Sequence, residues 1–343
     1  MTEVARRPLA APRAVALPWS SSDWKTELAQ SFRRPEDLLF HLGLAGPLSR
    51  EAESEFSFLV TRHFASRMRR NDPEDPLLRQ VLPAPDELVR RDGFTADALD
   101  ETTPSSSKAR GLLQKYEGRA LLLAAGACAI NCRYCFRRSF PYTEHRTALG
   151  GPVLDAIRSD ATLSEVILSG GDPLLVDDFR FARLIAELAE IPHVRRVRIH
   201  SRIPIVLPQR ATAPLLDALS ESGLQIVVVA HANHPRELSP ESARGFELFR
   251  EAGATLLNQS VLLAGVNDDA SVLAELSETL FRQGVLPYYL HLLDRVTGTG
   301  HFEVDEDRAR ELHQELQAIL PGYLVPRLAR EVPGEASKVV LGR

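Results

Sequence analysis

The chain has 343 residues, enough for one large domain or two ordinary ones. Apolar residues make up 44% and charged residues 25%, a normal globular balance, and a net charge of −5 excludes a broad basic footprint for nucleic acid. No apolar run approaches the length of a membrane span, and the N-terminal MTEVARRPLAAPRAVALPW lacks the core of a secretory signal, so the expectation is a cytoplasmic protein without a membrane partner.

In chain order, residues 1–108 read as a loose Pro- and Ala-rich arm followed by a helical region. Ser21-Ser22-Asp23 offers a first cap. RPEDLLFHLGL places Pro in a first helical turn, SREAESEFSFLVTRHFASRM reads as a longer helix, and APDELVRRDG as a short one ended by Gly93. No strand run is expected among them, and TTPSSSK (102–108) reads as a linker.

From residue 109 the texture changes, and short β-rich runs alternate with amphipathic ones. The strand candidates are RALLLAAG, EVILSGG, RRVRIHSR, LQIVVVAH, ATLLNQSVLLAG and VLPYYLHLLD. With a first helix near 152–158, they make six strand–helix units. That pattern predicts an α/β fold with parallel strands, either a partial β/α barrel or a doubly wound open sheet. The expected division is 1–108, a barrel core over 109–301, and a C-terminal segment over 302–343. In either fold, ligands sit at the carboxyl ends of the strands. The residues suited to chemistry fall there: three cysteines after the first strand, Ser169-Gly170-Gly171-Asp172 after the second and Arg202 after the third. His231 and His234 follow the fourth, Asn258 and Gln259 lie late in the fifth, and Asp294 ends the sixth.

Cys128, Cys132 and Cys135 are the only cysteines of the chain, and they lie within eight positions. An odd number at this spacing does not suit a disulfide framework. Three thiolates can converge on one metal centre. Two readings stay open on spacing alone: zinc completed by a histidine such as His145, or an iron–sulfur cluster with one iron left open.

Cys128-x3-Cys132-x2-Cys135, with Tyr134 before the last cysteine, resembles the radical S-adenosylmethionine superfamily. That resemblance implies a 4Fe-4S cluster on the three cysteines, with S-adenosylmethionine on the fourth iron as the source of a 5′-deoxyadenosyl radical. SGGDPL, holding Ser169, Gly170, Gly171 and Asp172, resembles the superfamily's turn that contacts the amino group of the bound methionine moiety. His231, Asn258 and Gln259 are expected near the same cofactor.

At the other end, Lys338 lies in PGEASK. Read alone it is either a solvated surface lysine or a lysine that forms a Schiff base once its pKa is depressed. Together with LLQKYEGRALLL, SRIPIVLPQR, HANHPRE, LLNQSVLLAGVND and PYYLHLLD, the loop resembles the lysine 2,3-aminomutase family over much of residues 109–341. It departs at Glu335, where the family has glycine. The resemblance implies pyridoxal phosphate on Lys338, with Lys115 and Arg119 facing its phosphate. It further implies Arg137 for the substrate carboxylate, with Asp294 and Glu331 for the ε-ammonium of L-lysine. Glu331 stands where the family uses the shorter Asp. The bland alternatives are a charge-balancing role for Arg137, a helix cap for Asp294 and a surface position for Glu331.

The implied reaction is a 1,2-amino shift that gives (R)-β-lysine. The short chain end after Lys338 resembles the family branch whose product modifies elongation factor P through a separate lysyl ligase. An external electron donor such as flavodoxin is implied as well. A 2,3-aminomutase of another amino acid such as glutamate and, more distantly, a non-enzymatic zinc-stabilised binding protein are the alternatives. The oligomeric state is not legible.

Overall fold

The computed structural model of the chain describes residues 17–20, 22–45, 48–103, 107–145 and 149–341; the expected N-terminal arm, Ser21 and part of the linker lie outside them. One ten-stranded sheet runs in strictly sequential order: β1 (Ser107–Ala109), β2 (Leu112–Tyr116), β3 (Arg119–Ala125), β4 (Glu165–Gly170), β5 (Arg196–Ser201), β6 (Gln225–Ala230), β7 (Thr255–Val261), β8 (Leu286–His291), β9 (Arg327–Arg330) and β10 (Val339–Val340). Strands β3 to β9 are parallel to their neighbours, with β1–β2–β3 and β9–β10 paired antiparallel at the two edges.

The order never reverses, so there is no switch point of the doubly wound kind. Right-handed crossovers running in one direction put their connecting helices on one face of the sheet as a rule, which leaves the other face for it to curl about. The fold is the expected partial (β/α)6 barrel, extended by a seventh parallel strand, β9, that sequence patterning missed. RLAR alternates poorly and follows Pro326, which hides the strand signal.

The two faces differ as such a barrel requires. Val166, Leu168, Val197, Ile199 and Val228 are buried in one hydrophobic cluster with Phe181, Leu184 and Leu215 from the connecting helices. The alternate positions Glu165, Ser169, Arg198, His200, Gln259 and His291 are polar and only half-buried. A polar, partly open inner face suits a barrel that holds a ligand.

Two expectations for the N-terminal region are corrected. The long helix over SREAESEFSFLVTRHFASRM is two short ones, Arg50–Glu55 and Arg62–Ala65. Between them the aromatic and β-branched FSFLVT runs extended and makes one isolated bridge, Val60 to Phe32, while the first strand among the described residues is β1, as expected. APDELVRRDG forms only a 3₁₀ turn at Pro85–Leu88. RPEDLLFHLGL is the expected helix, Pro35–Leu42, with Pro at its start and Gly43 left-handed (φ 73°) at its end. Trp24, Phe64 and Leu77 share the hydrophobic cluster of the barrel.

Candidate active site

The cysteine loop leaves β3 and is gripped from both sides. On the N-terminal side, Glu87 accepts from the loop's fully buried Arg133 at 2.9 and 2.5 Å, and the carbonyls of Phe56 and Ala52 accept from it as well. Backbone bonds add Asn131 N to Leu59 O and Arg133 N to Gln80 O, both within 2.9 Å. From the β4 side, Gly171 N donates to Ala125 O and Asp172 N to Ala127 O, each at 2.8 Å. This contact explains the paired glycines. A Cβ on Gly170 would stand 2.4 Å from Ala125 O and one on Gly171 2.3 Å from Ala127 O, so only glycine permits the approach.

Asp172 turns back into the protein. It accepts from Ser201 Oγ at 2.7 Å and from the amides of Arg202, Ile203 and Leu174, so it brackets the β5 turn. Burial raises its carboxyl to about 6 despite these donors.

All three cysteines are free and half-buried. Burial, then Cys135, pushes the Cys128 thiol well above its usual range, and burial, then Cys132, takes Cys135 to about 11. Three cysteines on one short loop supply the thiolate donors that iron–sulfur clusters take. The donor set therefore fits the implied cluster. Among the described residues no three His, Cys, Asp or Glu side chains close around a single metal ion, and His145 instead stacks against Phe140 at 4.9 Å.

Arg202 Nη1 donates to Cys132 Sγ at 2.7 Å, while Nη2 reaches Gln80 Oε1 at 2.7 Å and Glu237 Oε2 at 3.0 Å. Burial alone would lower this guanidinium, but Cys132, Tyr134 and Glu237 hold it firmly charged. Tyr134 packs edge-on to Phe302, with ring centroids 6.1 Å apart.

A second cluster begins at Lys338, which follows β9 and precedes β10. Its amine lies 2.5 Å from Glu331 Oε2, and Glu331 Oε1 is 3.2 Å from Lys115 Nζ on β2. Lys115 is also 3.1 Å from Glu101 Oε1, and Glu101 grips Arg137 at 2.6 and 2.9 Å. Arg137 Nη1 then reaches Ser169 Oγ at 2.9 Å and Gly170 O at 3.2 Å, beside the cysteine loop. A chain of alternating charges thus joins Lys338 to the cysteines. Burial works against Glu331, but Lys338 and Lys115 bring its carboxyl down to about 2.

Asp294 lies close enough to feel this chain without bonding to it. Burial and then the Glu331 charge raise it to about 7. It caps no helix among the described residues. Arg119, at the start of β3, lies over the Tyr116 ring at 4.5 Å, and Lys338 Nζ is 5.8 Å from the Tyr289 ring centre. The amine, the neighbouring cations and the aromatic faces fit a phosphate-bearing aldehyde cofactor.

His231 Nε2 lies 3.4 Å from His200 Nδ1 on the inner face. Burial first, then Arg202, Arg137 and Lys338, lowers His231 to about 3, so this imidazole is neutral. His291, held near 3 by burial and Lys338, is a neighbour that sequence reading passed over. Gln259 is half-buried on β7 beside Tyr289. His234 caps a 3₁₀ turn through Arg236 N, and Asn258 bonds the backbone of Ala232, so both serve the fold. Glu101, Glu237, Gln80 and Tyr116 were missed as well. Glu101 and Gln80 lie in no motif and meet partners distant in sequence, whereas Glu237 ends HANHPRE and Tyr116 lies in LLQKYEGRALLL without the motif itself announcing a role for either.

The fold and site define a β/α-barrel enzyme with a three-thiol cluster loop on one wall and a buried lysine–carboxylate chain on the other. The chain is 47% identical to the L-lysine 2,3-aminomutase of Escherichia coli (strain K12), over 94% of its own length and 95% of the relative's. It is 43% identical to that of Haemophilus influenzae, over 93% and 95%. Among solved structures, a radical SAM methyltransferase from Sphaerobacter thermophilus overlays on 64% of this chain and 68% of that one, at 19% identity and a TM-score of 0.46. No family model matches. This chain belongs to the lysine 2,3-aminomutase family.

Proposed function

We propose that this protein is an isomerase that moves the α-amino group of L-lysine to the β-carbon. The observation that carries the reading is the continuous charged chain from Lys338 through Glu331, Lys115 and Glu101 to Arg137 and the cysteine loop. It sets an amine, carboxylates for a cationic tail and an arginine for a carboxylate around one polar barrel mouth.

When bound, the 4Fe-4S cluster with S-adenosylmethionine would supply radical chemistry, and pyridoxal phosphate would supply a conjugated π-system that spreads the spin while nitrogen moves between two adjacent substrate carbons. Cys128, Cys132 and Cys135 would hold the cluster. Tyr134, Ser169, Gly170, Gly171, His231 and Gln259 would line the S-adenosylmethionine site, with Asp172 fixing the glycine turn from behind. Neutral His231 offers a hydrogen bond without adding charge. Lys338 would carry the aldehyde cofactor, and Lys115 and Arg119 would bring positive charge to its phosphate. Arg137 fixes the substrate carboxylate. Asp294 and Glu331 receive the ε-ammonium, and two carboxylates there disfavour a glutamate tail.

The same reading gives (R)-β-lysine destined for elongation factor P through a separate lysyl ligase, with electrons from a donor such as flavodoxin, in the cytoplasm. It rests on the sequence resemblance. No helix among the described residues is long and apolar enough to cross a membrane.

The test is anaerobic incubation of reconstituted protein, dithionite and both organic cofactors with L-lysine or L-glutamate. β-Lysine alone is the expected product; β-glutamate alone would overturn the substrate assignment.

A further inference from the structure

Glu101 belongs to no barrel strand and no motif, yet it is the most enclosed carboxylate of the charged chain, at 3% exposure. It meets Arg137 side-on. Oε2 takes Nε at 2.6 Å and Oε1 takes Nη2 at 2.9 Å, which fixes the plane of the guanidinium and turns Nη1 toward Ser169. The same Oε1 stands 3.1 Å from Lys115 Nζ. Without Glu101, two cations would face each other across a desolvated gap, and Arg137 would keep only neutral partners.

The backbone around Glu101 is itself held. Asp97 accepts from Glu101 N at 3.0 Å, from Thr102 N at 2.8 Å and from Thr102 Oγ1 at 2.6 Å. Two residues before Asp97, Thr95 bridges Val296 in the loop after β8: Thr95 N donates to Arg295 O at 3.0 Å, and Thr297 N donates to Thr95 O at 2.9 Å. The segment from Thr95 to Thr102 therefore runs as a strap from the loop that carries Asp294 to the guanidinium of Arg137.

We propose that Glu101 is a positioning residue that orients Arg137 for the α-carboxylate of the substrate, held in place by the strap from Thr95 to Thr102. The inference rests on the assignment of Arg137 proposed above. It concerns one end of the substrate only, so a ligand without a carboxylate should not depend on Glu101.

The test is titration of the anaerobic holoenzyme, without reductant and so without turnover, with L-lysine or with 1,5-diaminopentane, which lacks the carboxylate. The readout is the visible absorbance of bound pyridoxal phosphate. Glu101→Gln is expected to raise the L-lysine concentration at half-change by tenfold or more and to move that for 1,5-diaminopentane by less than twofold. Asp97→Asn, which loosens the strap without touching Arg137, is expected to show the same selective loss in smaller measure and covers the case in which Glu101→Gln does not fold. Equal losses for both ligands, no loss, or tighter L-lysine binding would overturn the inference. A wild-type protein that responds to neither amine would instead overturn the aminomutase reading beneath it.

Discussion

Lys338 Nζ lies 2.5 Å from Glu331 Oε2, seven residues back across the turn that joins β9 to β10. The carboxylate also serves Lys115 through its other oxygen, so one side chain neutralises two amines. Glu331→Gln would leave Lys338 without its carboxylate and Lys115 with Glu101 alone. Because the pair keeps some solvent contact, the expected loss is about 2 kcal/mol of L-lysine binding, the low end for a charge pair that loses one partner. Steady-state kinetics should show it mainly as a raised KM.

Asp294 gives a pH signature. Its carboxyl is raised from 3.8 to about 7, so the folded state binds its proton more tightly than the unfolded chain does. The stability it contributes is complete below about pH 4 and is lost as pH rises through about 7. Asp294→Asn removes that loss. In urea unfolding of the ligand-free protein, the variant should match wild type at about pH 4 and exceed it at about pH 8 by about 2–4 kcal/mol.

Arg202 and Glu237 form a buried pair beside Cys132. Arg202→Met strands Glu237, although Gln80 Nε2 and Asn233 N still donate to it. Denaturant unfolding should register a loss of about 3 kcal/mol, and Glu237→Gln added to the same chain should recover part of it.

The two cofactor sites should fail separately. Cys132→Ala is expected to lose bound iron and its broad visible absorbance while keeping pyridoxal phosphate on the protein. Lys338→Ala is expected to keep the iron and lose the covalently retained pyridoxal phosphate. Iron analysis and mass spectrometry after borohydride treatment read the two outcomes independently.

What was legible in the sequence was local. The cysteine spacing, the SGGDPL turn and PGEASK each occupy a few consecutive positions, and strand–helix alternation gave six parallel strands while leaving barrel and open sheet both possible. What was not legible depends on distant pairing. Glu101 meets Arg137 across 36 residues and Gln80 meets Arg202 across 122, and no periodicity announces either. The N-terminal region had no assigned role, yet Arg133 and Glu87 make it the clamp of the cysteine loop. The strand β9 was hidden by its short, arginine-flanked pattern, although it delivers Glu331 at its carboxyl end as the barrel rule requires.

The most direct measurement follows hydrogen. L-Lysine carrying deuterium at both C3 positions is turned over by the reconstituted enzyme, and β-lysine and S-adenosylmethionine are recovered for mass spectrometry and NMR. The account expects deuterium at C2 of β-lysine and at the 5′-carbon of S-adenosylmethionine, because the C3 hydrogen passes through that carbon and returns. Deuterium lost to water, with solvent hydrogen at C2 and none at the 5′-carbon, would contradict it and assign the chemistry to proton transfer.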